Sequence, residues 1–134
     1  MSESFSLSMR VYYEDTDAGG VVYHASYVRF FERARAEYIR HLDIPGLWPP
    51  RDMVFVVRSL SLEYLRPAYL DDLLHVDAKP LRRGRVYVDF AQTVSRAGEM
   101  LVTGEVRLVC ASGSPLRACS LPPALSAVMD GEIS

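Results

Sequence analysis

The chain has 134 residues, 49% of them hydrophobic, which is enough for one core without disulfide or metal support. Its 15 basic and 17 acidic residues leave a formal charge of −2. That balance excludes a general nucleic-acid binder, which needs a basic excess, but leaves room for a local patch that meets a phosphorylated ligand.

No apolar run approaches the ~20 residues of a membrane-spanning helix. The opening "MSESFSLSMR" has no basic segment followed by an apolar stretch, so no signal peptide is expected. The chain is read as soluble and cytoplasmic, with a single domain over residues 1–134. Cys110 and Cys119 lack metal-ligand spacing and read as free thiols in a reducing compartment.

In chain order, a first strand is expected from Phe5 to Tyr13, ending at the polar "EDTDAGG". A helix is expected from about Ala25 to Leu42. There Tyr27, Phe30, Phe31, Ala34, Tyr38 and Leu42 recur in a 3-4-4 rhythm and form one apolar stripe. Its length is about 27 Å at 1.5 Å per residue, enough to cross a small sheet. "DIPG" ends it, and "LWPPRD" is a loop.

Four alternating stretches follow. Met53 to Leu65 carries Val54, Val56, Leu60, Leu62 and Tyr64 on one side, interrupted by Arg58. Leu70 to Leu81, Arg85 to Ser95 and Met100 to Cys110 alternate in the same way, as strands with one covered face do. The short breaks "RPAYLDD", "RRG" and "RAGE" suit antiparallel neighbours. A terminal helical turn or two is expected in "SLPPALSAVMD". The expected fold is α+β, a curled antiparallel sheet of about five strands around one long helix. One helix covers such a sheet thinly, so leftover apolar surface and free edges favour a homo-oligomer.

The polar stretch before the helix concentrates chemistry. Asp15 and Asp17 supply carboxylates, Gly19 and Gly20 permit a tight turn, and His24 sits where loop becomes helix. A helix start offers unpaired N–H groups and a positive dipole end, which stabilise a carbonyl oxygen gaining charge. A nearby carboxylate can attack the carbonyl carbon or deprotonate a water that does. The same residues also serve as ordinary caps and turns. A calcium loop counted from Asp15 lacks its glutamate, because the twelfth position is Ser26. His24, His41 and His75 form no zinc pattern, so no metal and no cofactor is expected.

"RVYYEDTDAGGVVYHASYVRFFERARAEYIR" resembles the start of the YbgC-like acyl-CoA thioesterases, in the 4-hydroxybenzoyl-CoA thioesterase group of the hotdog superfamily. The likeness continues through "FVVRSLSLEYLRPAYLDDLL" to about Cys110. It implies a hotdog fold and a homodimer with composite sites at the interface, often paired into a homotetramer. The substrate implied is a short-chain acyl-CoA or acyl carrier protein thioester. Asp17 matches the family's catalytic carboxylate, as nucleophile or general base. The N–H near His24 matches the oxyanion donor, and the His24 imidazole matches a histidine typical of this branch. Arg58 and Ser59 resemble residues that line the site. Tyr23 and Tyr27 line the acyl channel or belong to the core. Arg82, Arg83 and Arg85 in "RRGR" are solvated turn charges or contacts to coenzyme A phosphates. The family's link to the Tol–Pal system implies a place near the inner membrane, with peripheral association with lipid-synthesis proteins. A non-catalytic binding module for acyl carrier protein or a lipid-synthesis enzyme, or a hotdog dehydratase, is the alternative on the same fold.

Overall fold

A computed structural model describes residues 5–133. The part of the N-terminal reading that rests on residues 1–4 lies outside them. The elements are β1 (Phe5–Arg10), α1 (Ser26–Leu42), β2 (Val54–Tyr64), β3 (Leu73–Arg83), β4 (Tyr87–Arg96), β5 (Glu99–Ser112), β6 (Arg117–Ala118) and α2 (Pro123–Ile133). The strands form one antiparallel sheet in the order β1-β3-β4-β5-β2, with β6 paired to the far end of β5. The hotdog arrangement is therefore present.

The apolar stripe of α1 does what its spacing requires. Tyr27, Phe30, Phe31, Ala34, Tyr38 and Ile39 are buried, while Leu42 is only half-buried at the end. Asp43 closes the helix in the left-handed conformation at φ 55°, its N–H bonded to the Arg40 carbonyl. The inner sheet face meets that stripe with Leu74, Val76, Ala78, Val88, Phe90, Val94, Val102 and Val106, all buried. Gly104 lets α1 approach the sheet closely. A Cβ there would lie 2.6 Å from the Phe31 ring and 2.7 Å from the Ser61 carbonyl oxygen.

Three sequence expectations change. The first strand stops at Arg10 rather than Tyr13, because residues 13–15 form a 3₁₀ turn held by the Tyr12 N–H on Asp15 Oδ2 at 2.9 Å. The C-terminal segment is a full helix, not a turn or two. Leu125 and Met129, one helical turn apart, are wholly buried, and α2 thereby adds a second cover over β3.

The third change concerns β2. Val57 pairs with Leu108 and Ser59 with Arg107, which leaves Arg58 as the extra residue of a bulge. A bulge shifts the side-chain phase. Phe55 and Val57 share a face with buried Cys110 and Leu108, as Leu60 and Leu62 do with Val106 and Gly104. Val54 and Val56 point to the other face. The five residues expected on one side are therefore split at Arg58, and Arg58 itself is exposed.

Candidate active site

The two aspartates of "DTD" have different surroundings. Asp15 is buried, at 4% exposure. Its Oδ2 accepts the Tyr12 N–H, its carbonyl accepts the Tyr23 N–H at 2.8 Å, and its Oδ1 lies 3.7 Å from Arg29 NH2. These bonds tie the end of β1 to the start of α1. Asp17 is exposed and sits at a tight reversal. Its N–H donates to the Val21 carbonyl, and its carbonyl accepts the Gly20 N–H. Gly20 takes φ 82°, a conformation that glycine adopts without steric penalty. Asp17 Oδ1 accepts the Gly19 N–H at 2.8 Å, whereas Oδ2 has no hydrogen-bond partner among the described residues. One carboxylate oxygen is anchored to the loop and the other is unbonded among the described residues.

Asp17 lines a cavity of about 320 Å³ together with His24, Tyr27, Tyr64 and Arg66, over apolar Val21, Val22, Leu65 and Pro67. His24 immediately precedes Ala25, the N-cap of α1. The main-chain N–H groups of His24 and Ala25 have no acceptor among the described residues. The Ala25 N–H belongs to the orphan donors of the helix start, and the His24 N–H stands one residue before them. The His24 carbonyl accepts the Tyr64 hydroxyl at 3.1 Å, which fixes the loop–helix junction to the end of β2. Tyr27 is buried, and its hydroxyl accepts the Ala68 N–H at 3.3 Å. Burial pushes the Tyr27 hydroxyl above its ordinary range, against the opposing pull of the Ala68 N–H, so it stays protonated.

The structure thus brings Asp17, His24 and Tyr27 to one cavity. Tyr23 packs against the His24 ring in a tilted contact, centroids 4.5 Å apart, but does not line that cavity. Arg58 lies at the β2 bulge. Ser59 and Arg82 border a separate cavity of about 160 Å³ with Asp89, Glu105 and Arg107. Arg82 NH1 donates to Asp89 Oδ2 at 2.7 Å and to Glu105 at 3.3 Å. Arg83 makes a two-pronged contact with Asp130 of α2 at 2.7 and 2.8 Å, and Arg85 donates to the Ser120 hydroxyl at 2.8 Å. All three arginines of the "RRGR" turn therefore have acceptors within the chain. Tyr64 and Arg66 were not singled out from sequence. Tyr64 reads as one more apolar position of an alternating strand, and nothing in that pattern marks a hydroxyl aimed at the helix start.

The model of the "Thioesterase superfamily" matches residues 19–103. The chain is 40% identical over 129 residues to an acyl-CoA thioesterase YbgC from Haemophilus influenzae, covering 95% of each. It is 43% identical over 126 residues to the acyl-CoA thioester hydrolase YbgC of Escherichia coli O157:H7, covering 92% of this chain and 93% of that one. The chain belongs to the thioesterase superfamily. A probable thioesterase from Bartonella henselae superposes on it with a TM-score of 0.80 at 32% identity, covering 90% of this chain and all of that one. A protein from Thermus thermophilus superposes with a TM-score of 0.88 at 27% identity, covering 97% and 99%. The sequence resemblance and the fold therefore agree, and this chain is a thioester hydrolase by family. No helix among the described residues of this thioesterase is long and apolar enough to cross a membrane.

Proposed function

We propose that this single-domain protein hydrolyses short-chain acyl-CoA to a carboxylic acid and free coenzyme A, with Asp17 as its catalytic carboxylate. The observation that carries this reading is one cavity lined both by Asp17, whose Oδ2 has no partner among the described residues, and by His24, whose N–H is unused just before the N-cap of α1. The thioester carbonyl carbon would face Asp17 Oδ2, and its oxygen would take the His24 N–H as charge develops. By one route Asp17 attacks the carbon, the thiolate leaves, and water hydrolyses the resulting anhydride. By the other, Asp17 takes a proton from water as that water attacks. The His24 imidazole is proposed to assist the water or the thioester, and Tyr23, Tyr27, Arg58 and Ser59 to shape the substrate path.

The working unit is proposed to be a homodimer, or a pair of such dimers, joined through β2. That strand is an 11-residue sheet edge with exposed Val54, Val56, Val57, Leu60 and Tyr64. A long apolar edge left uncovered is an association hazard. Antiparallel pairing of β2 with a second β2 about its midpoint, Ser59, sets the Tyr64 end of one strand beside the Val54 end of the other. Tyr64 lines the Asp17 cavity. Phe55 and Val57 line a second, largely apolar cavity of about 310 Å³ with Trp48, Ile39 and Leu108, beside the charged Glu32 and Arg35. The pairing would join the carboxylate of one protomer to the largely apolar cavity of its partner, where an acyl group is proposed to lie along Ile39, Phe55, Val57 and Leu108. The "RRGR" arginines are proposed to meet nucleotide phosphates, Arg85 by leaving the Ser120 hydroxyl, and Arg82 and Arg83 by exchanging carboxylate partners for phosphate. The family likeness supports action in the bacterial cytoplasm near the inner membrane, beside the Tol–Pal system and lipid-synthesis proteins.

The test is thiol release from a panel of acyl-CoAs of increasing length, beside the same acyl groups on acyl carrier protein and on pantetheine. Turnover with short acyl-CoAs is expected. Negligible turnover throughout, with tight binding of acyl carrier protein, would replace the enzyme by a binding module.

A further inference from the structure

Cys110 lies in β5, and Cys119 follows the last residue of β6. Their Sγ atoms are 3.3 Å apart. The Cys119 N–H donates to the Cys110 carbonyl at 2.9 Å, so the main chain itself holds the two residues side by side. Cys110 is wholly buried, whereas Cys119 is partly exposed. No group of three or more His, Cys, Asp or Glu residues suited to a metal ion exists among the described residues, so the pair is not half of a metal site. Neither thiol lines the Asp17 cavity.

We propose that Cys110 and Cys119 form a reversible thiol–disulfide couple that fastens the C-terminal segment to β5 when the protein meets a peroxide. The segment has a reason to need fastening. The direct pairing between it and the sheet is the two-residue strand β6. Beyond that, α2 is held by the Leu121 N–H on the Arg85 carbonyl, by the Arg83–Asp130 ion pair, and by burial of Leu125 and Met129. Cys119 stands at the junction between β6 and this anchored stretch.

The chemistry divides the roles by exposure. The Cys119 thiol gives up its proton, its thiolate attacks one peroxide oxygen, the O–O bond breaks, and the leaving hydroxide takes that proton, so Cys119 sulfenic acid and one water result. The Cys110 thiol then attacks the sulfenic sulfur. The S–S bond forms, the S–O bond breaks, and the hydroxyl leaves as a second water with the proton of Cys110. Two thiols and one peroxide thus give one disulfide and two waters. Burial, with the neighbouring Cys119 thiol, pushes the Cys110 thiol up to about 12. Cys110 is therefore not the thiol that meets the peroxide; its attack on the sulfenic sulfur rests on the 3.3 Å Sγ–Sγ approach and on loss of its proton to the departing hydroxyl.

The test oxidises the full-length protein with hydrogen peroxide, blocks remaining thiols, and digests it with trypsin without reduction. Cleavage after Arg107 and Arg117 puts Cys110 in peptide 108–117 and Cys119 in peptide 118–134. The expected product is these two peptides joined, lighter than their sum by two hydrogen atoms and separated again by a reductant. In Cys110→Ser, a sulfenic acid should accumulate on Cys119 and be trapped by a dimedone probe. In Cys119→Ser, Cys110 should stay a thiol. Alkylation of both thiols in the oxidised wild type, disulfides only between chains, or oxidation stopping at a sulfinate would overturn the couple. Amide hydrogen exchange across α2 should slow in the oxidised protein. Equal exchange in both forms would overturn the fastening role.

Discussion

At the scale of single residues, two aspartates two positions apart perform different work. Asp15 is buried and holds the Tyr12 N–H and the Arg29 guanidinium between β1 and α1, whereas Asp17 lines a cavity and has one oxygen without a partner among the described residues. Removing Asp15 should therefore cost stability first. Asp15→Ala leaves the Tyr12 N–H without its carboxylate, and lost caps of this kind cost about 0.5–2 kcal/mol. A clear fall in melting temperature is expected, measured by thermal denaturation; an unchanged value would mean that the loop holds its shape by other means. From sequence the two carboxylates look alike, because both fit a cap and both fit a catalyst. Burial separates them, and burial depends on how the 3₁₀ turn folds under the helix start.

At the scale of elements, the most informative position is Gly104, where the sheet and α1 nearly touch. Gly104→Ala drives a methyl group against the Phe31 ring and the Ser61 carbonyl oxygen. Overpacking of this sort typically costs about 1–3 kcal/mol. Denaturant unfolding should show that loss, and a variant as stable as the wild type would show that α1 can shift away freely. The long helix and the four later strands were legible because their apolar spacing follows the 3.6 and 2.0 periods. Two features escaped for physical reasons. The bulge at Arg58 reverses side-chain phase without any glycine or proline to signal it, so Val54 and Val56 read as partners of Leu60 when they face the other way. Helix α2 buries only Leu125 and Met129 completely, too sparse a pattern to set its length. The cavity around Asp17 was half legible. The motif and His24 stand together in sequence, but Tyr64 arrives from β2, forty residues away.

At the scale of the whole molecule, the exposed apolar edge of β2 and the charged outer face behave differently. If β2 joins two protomers, Val56→Asp places a charge in that contact. Light scattering should then show monomers where the wild type shows a dimer or larger assembly, and acyl-CoA turnover should fall with the loss of the composite site. A monomeric wild type with full turnover would remove the dimer from the mechanism.

On the outer face, Arg107 donates to both oxygens of buried Asp89 at 2.8 and 2.9 Å, and Arg82 adds a third bond. The Arg107 bonds hold the Asp89 carboxyl below its ordinary range, against the opposing effect of its burial. A depressed carboxylate contributes stability above the unfolded-state value, about pH 4, and loses it as pH falls through the lower folded value. Wild-type melting temperature should drop steeply on acidification from about pH 5 to pH 3, and Asp89→Asn should flatten that drop. Asp72 and Asp130, also held low, keep some slope in the variant. An identical acid profile in both proteins would show that the Arg82–Asp89–Arg107 cluster does not couple to folding.

The role of Asp17 is tested most directly by turnover of one good short-chain acyl-CoA in Asp17→Asn and Asp15→Asn, with melting temperature and product affinity measured alongside. Asparagine preserves the size of aspartate and can keep its side-chain oxygen on the Gly19 N–H, yet it is neither a base nor a nucleophile of use. Asp17→Asn should lose about 10²–10⁴ in kcat, or more if Asp17 is the nucleophile, while folding and binding persist. Asp15→Asn should lose far less turnover and show its effect in stability. Near-normal kcat in Asp17→Asn, with the large loss in Asp15→Asn, would contradict the assignment.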